Sequence, residues 1–195
     1  MPLGANKAAI MGVAGVSTAD VVLLSTQTAD DDATVSFTSG IDSTYGEYIF
    51  KFYNIQAKTD RGNFQFQVNA SSQSGYNETI TSTAFRAYHD EADAEAYVLY
   101  LATEDQAQGT SFDPIVGDVG AQADECAAGE LHLFNPSSTT YVKHYYSNAQ
   151  VNAGGNYLQH TFKGGYINTT AAITNVQFKM HSGNLNGTIK MWGVK

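Results

Sequence analysis

Apolar and polar side chains alternate with a period of two along most of this chain, while the i, i+3, i+4 stripes of amphipathic helices are nearly absent. A period of two belongs to strands, whose successive side chains point to opposite faces. Over 47–55, Tyr48, Phe50 and Phe52 alternate with Ile49, Lys51 and Tyr53. Over 63–69, Phe64, Phe66 and Val68 stand against Gln65 and Gln67, the pattern of a strand wet on one side. The same reading predicts strands at 20–25, 33–38, 84–89, 96–101, 130–134, 141–146, 157–162, 175–180 and 187–194. Val176, Phe178 and Met180, a turn at Gly183 and Asn184, then Ile189 and Met191 predict a terminal hairpin or a paired sheet edge. Core positions are Phe50, Phe52, Phe64, Phe66, Val68, Leu131, Leu133, Phe178, Ile189 and Met191.

Segments rich in Gly, Ser, Asn and Thr separate these strands, among them 73–78 and 154–156, and they read as turns. Only 90–96 has room for a helical turn. The stretch 106–128 carries Pro114 and scattered Gly, Ala and acids, and it reads as a long loop. Many short strands without intervening helices select an all-β fold, expected as an antiparallel jelly-roll-like β-sandwich over 20–195 behind an N-terminal arm at 1–19. Leu3, Ile10, Met11 and Val13 have no place in the alternation and are assigned to the arm as partner contacts.

Charged residues make up only 15% of the chain and aromatics 12%, with 12 Tyr and 10 Phe, which suits sheets faced with large rings. The formal charge of −9 repels phosphate and argues against nucleic acid as a partner. The single cysteine, Cys126, has no partner for an internal disulfide and lies among acids that disfavour its thiolate. Residues 7–19 make a poor secretion signal, and no run approaches the roughly 18 apolar residues of a membrane span. No membrane association is expected.

None of His89, His132, His144, His160 and His181 has zinc-site spacing. Acids cluster at 30–32, at 90–95 and through Asp113, Asp118, Asp124 and Glu125, all in expected loops, without the spacing of a calcium-binding EF-hand. No nucleophile elbow, phosphate loop or dinucleotide fingerprint occurs. The expectation is therefore a protein that is not an enzyme, with no catalytic residues, metal ligands or cofactor.

The segments 43–50, 75–82, 131–143 and 187–194, above all Leu131-His132-Leu133-Phe134-Asn135-Pro136 and Gly187-Thr188-Ile189-Lys190, resemble virion structural proteins of marine tailed phages over about 18–195. The resemblance implies a jelly-roll module on the exterior of a bacteriophage capsid. Its role there would be a decoration (cement) protein that binds the major capsid protein as a homotrimer and stabilises the shell. The alternative it implies is a tail-fibre or spike module that recognises a host-surface glycan.

Overall fold

The computed structural model describes residues 20–195, so the arm residues Leu3, Ile10, Met11 and Val13 lie outside the described part. Twelve strands form: β1 (Val21–Asp32), β2 (Val35–Phe37), β3 (Glu47–Ala57), β4 (Gly62–Ala70), β5 (Ile80–Asp90), β6 (Ala96–Tyr100), β7 (Asp113–Val119), β8 (Ala127–Phe134), β9 (Lys143–Ala153), β10 (Tyr157–Ile167), β11 (Ile173–Met180) and β12 (Leu185–Val194). Every segment predicted from the alternation falls on one of them. The strand that the pattern hid is β7, inside the expected loop 106–128.

The architecture corrects the jelly-roll expectation. The strands run in the order β1-β12-β3-β8-β9-β7-β4-β11-β2 and curl through 307° into a nearly closed antiparallel barrel, rather than two separate facing sheets. Period-two alternation reveals which face a side chain takes but not which strands are neighbours. The hidden strand supplies the closing link. β7 is laddered to β4 along its length, and its last residue, Val119, bridges to Ala153 just where β8 has run out beside β9. The expected terminal hairpin is also absent: β11 pairs with β4 and β2, whereas β12 lies between β1 and β3.

The far edge of β9 carries three more strands, β10, β5 and β6, which extend the sheet as a wing beyond the barrel. Gly154-Gly155-Asn156 turns β9 into β10, as the composition predicts. Residues 90–96 hold a hairpin turn instead of a helical one, because the Asp90 carboxylate accepts the backbone N–H groups of Ala94 and Glu95.

Inside the barrel, Phe178 touches the rings of Phe37, Phe50, Phe52, Phe64 and Phe66 at centroid distances of 5.3 to 6.4 Å. Each predicted core residue is buried. β3 alternates as expected, but β4 does not have a wet side: Gln65 and Gln67 are buried as well. Gln67 survives there because its Nε2 donates to the carbonyls of Glu78, Thr110 and Ser111. A bulge at Gly187 bends β12 against β3; its φ of +130° and a Cβ position only 2.8 Å from the Asn54 carbonyl leave no room for a side chain.

Candidate functional site

Alternation along a strand obliges every second side chain to leave the core, so the outer face of the large sheet is assembled from the residues between the core positions. The register lines them up in rows. One row crosses seven strands as Lys190, Lys51, Glu130, Asn148, Phe162, Phe85 and Tyr100. A second row, two residues away, runs Trp192, Ile49, His132, Tyr146, Gly164 and Thr83. A third runs Ala128, Gln150, His160, Ala87 and Val98.

Two adjoining grooves lie in this face and share Asn148. The first, about 410 Å³, is bordered by Lys51, Tyr53, Glu130, Asn148, Gln150 and His160. The second, about 320 Å³ and mostly apolar, is bordered by Thr83, Phe85, Tyr146, Phe162 and Gly164. Gly164 is its floor: a Cβ built there meets nothing within 4 Å, so the groove exists because a strand position of the second row, between Tyr146 and Thr83 and two residues from Phe162, has no side chain.

The rings are held by one another. Phe85 and Phe162 stack at 5.1 Å with planes 13° apart, and His160 leans on Phe162 at 4.3 Å. His132 stacks on Tyr146 at 4.4 Å, and Phe134 approaches the same tyrosine at 5.8 Å. Lys190 sits 5.2 Å from the centre of the Tyr53 ring, and Lys51 lies 3.6 Å from Glu130. His132 is clasped by two carboxylates, with Nδ1 hydrogen-bonded to Glu47 and Nε2 3.2 Å from Glu130. Burial pushes the Tyr146 hydroxyl up from its ordinary value, helped by Glu130 and Glu47. Burial lowers His160, whose Nε2 is paired with the Asn148 amide oxygen, so the ring is neutral at pH 7.

This arrangement offers ring faces flanked by amides, a lysine and a carboxylate. Among the residues bordering the two grooves, no hydroxyl or thiol nucleophile is hydrogen-bonded to a base. His132 and His160 are in strands as predicted but serve separate rows, while His144 tilts against Tyr166 and His89 pairs with Asp93. Among the described residues, no group of three His, Cys, Asp or Glu is placed to hold a metal ion. The acids were not all in loops: Asp30–Asp32 end β1, and Asp113 and Asp118 lie on β7, the former fully buried. Phe85, Tyr146, Asn148 and Phe162 were not singled out by sequence. Their signal was a ring or amide in the polar phase of a strand.

No family model matches the chain, and no curated protein does. The solved structures to which the chain is weakly similar include the following two. A structural-genomics protein of unknown function from Bacteroides ovatus shares 10% identity over 71% of this chain and 46% of its own, with a TM-score of 0.19. An aerolysin-like protein from Bombina maxima shares 8% identity over 88% of this chain and 91% of its own, with a TM-score of 0.12. The chain thus spans about half the length of the Bacteroides protein, and likeness this slight carries no argument for either. The resemblance to marine phage virion proteins is corrected: no family model or curated protein supports it, and the jelly roll it implied is replaced by the barrel.

Proposed function

We propose that the protein is a non-catalytic binding domain that holds a neutral glycan against the outer face of the β3-β8-β9-β10-β5 sheet. The observation that carries this reading is the paired grooves sharing Asn148, with Phe85, Phe162, Tyr146 and Tyr53 offering ring faces. A sugar ring presents C–H groups on its faces and hydroxyls at its rim. Aromatic faces meet the first, and the Asn148, Gln150, Lys51 and Glu130 side chains meet the second. The surplus of acids, 19 against 10 bases, makes a neutral saccharide a better fit than an acidic one.

A panel of immobilised neutral and acidic glycans tests the reading. Binding to a neutral subset is expected, reduced at least tenfold by Phe162→Ala and by Gly164→Leu, which fills the groove. Absence of binding across the panel, or binding undiminished in both variants, would overturn it.

A second reading, assembly with copies of itself, is favoured by β6. This edge strand, Ala96-Tyr97-Val98-Leu99-Tyr100, is exposed at every position, Val98 at 72%, and has no charge or proline to protect its open edge. Antiparallel pairing about Val98 sets small Ala96 against large Tyr100 and Tyr97 against Leu99, which is self-complementary. With Phe85 and Leu158 alongside, the exposed apolar patch is roughly 500 Å², within the range of a functional surface. The pairing makes a two-fold dimer rather than the trimer expected from sequence. Light scattering on the full chain distinguishes monomer, dimer and trimer. The capsid-decoration role came from the resemblance and has no separate support in this geometry.

A further inference from the structure

Lys163 on β10 and Asp113 at the start of β7 meet where the wing joins the barrel. Their strands are not ladder neighbours, and both side chains are fully buried, with Nζ 3.0 Å from Oδ1. The carboxyl is gripped from several sides. Tyr145 donates its hydroxyl to Oδ2 at 2.6 Å, Ser82 donates to Oδ1 at 3.1 Å, and the Gln106 amide reaches Oδ1 at 3.3 Å. The lysine also donates to the backbone oxygen of Glu104. The Glu104 carboxyl is raised above its ordinary range by burial, against the opposing pull of Lys163 and then Arg86, and its buried Oε2 has no hydrogen-bond partner. Lys163 and Asp113 are therefore enclosed together away from water, and the half-buried Glu104, which meets Lys163 through its backbone oxygen, holds its proton more readily than an ordinary glutamate.

We propose that Lys163 and Asp113 condense into an intramolecular isopeptide bond that staples the wing to the barrel, with Glu104 as the neighbouring acid that carries protons. One proton passes within the pair, turning ammonium and carboxylate into amine and carboxylic acid, an exchange that a dry interior favours over separated charge. The Nζ lone pair then forms a bond to Cγ. The oxygens of the tetrahedral carbon stay on the Tyr145 and Ser82 hydroxyl donors. Protonated Glu104 gives its proton to the departing oxygen and then takes one from the nitrogen, the C–OH bond breaks, water leaves, and Glu104 ends in the form in which it began. The balance is R–NH₃⁺ + ⁻O₂C–R′ → R–NH–CO–R′ + H₂O, with no redox change and no co-reactant. In water such a condensation is unfavourable. Fixed in contact, the two groups act at effective concentrations on the order of 10⁵ M or more, and the product water has a low-water site to leave. A chain whose only cysteine is Cys126 has no internal disulfide, so this bond would be its covalent staple.

The proposal stands independently of the glycan reading. Its test is the intact mass of the full chain, expected to fall short of the sequence mass by one water, with digestion yielding a peptide pair joined between Lys163 and Asp113. Succinimide formation, another route to water loss at aspartate, is blocked at Asp113 because the following Pro114 has no N–H. Lys163→Met and Asp113→Ala should restore the full mass. Should either fail to fold, Glu104→Gln keeps both partners and should fold while losing most of the cross-link. A wild-type chain of full mass, or water loss that persists in Lys163→Met, would overturn the proposal. A Glu104→Gln chain cross-linked as completely as wild type would overturn the part assigned to Glu104.

Discussion

Around Phe178 the barrel interior is dry, filled by rings meeting mostly edge to face. At the root of the wing the interior is equally closed to solvent but polar, with Asp113, Lys163, Gln159 and Thr161 buried and Tyr145 donating into the same network. The first region draws its stability from area, which tolerates exchange among side chains of similar volume. The second depends on each donor meeting its acceptor, because a buried charge that loses its partner has nowhere to go.

The two regions should therefore break differently. Phe178→Ala removes the ring on which five others rest and is expected to cost about 3–5 kcal/mol in denaturant unfolding, with no second substitution nearby restoring it. Lys163→Met strands the Asp113 carboxyl and should cost about 3 kcal/mol; adding Asp113→Leu should recover the part due to the stranded charge but not the part lost with the cross-link. A double variant no more stable than the single one would show that the cost of Lys163→Met does not come from the stranded carboxyl.

Glu104 gives a smaller effect with a definite sign. Its folded value lies above the unfolded one near 4.5, so between the two the native state holds a proton the unfolded chain has released. Its contribution is fully present below the unfolded value and is lost as pH rises through the folded one. Glu104→Gln should flatten this part of the stability profile measured by urea titration from pH 4 upward. The smallest change in stability belongs to Val98→Lys on the exposed edge, within about 0.5 kcal/mol, yet light scattering should show the variant monomeric where the wild type pairs through β6.

The alternation made most of the strands legible, since a strand with one face in the core must repeat every second residue. It failed at β7, whose Pro114 and Gly117 interrupt the pattern and whose burial on both faces removes the need for alternation. It misled at Gln65 and Gln67, both buried, of which Gln67 is satisfied inside by the carbonyls of Glu78, Thr110 and Ser111. Barrel closure was invisible because strand order depends on residues far apart in sequence. In the candidate site, β10 carries Phe162 on the outer face and Lys163 on the inner one, an inversion of the usual preference that no periodicity reports. Asp113 and Lys163 read as ordinary surface charges until their strands are brought together.

β1 and β12 are neighbours, with Val21 opposite Val194 and the ladder continuing to Asp32. One wall of the barrel therefore joins the beginning of the described chain to its end. During synthesis β1 must wait, its edge unsatisfied, until the last strand leaves the ribosome. Completion of the barrel therefore waits for β12, and so many non-local pairings place its folding in the slow range, milliseconds to seconds.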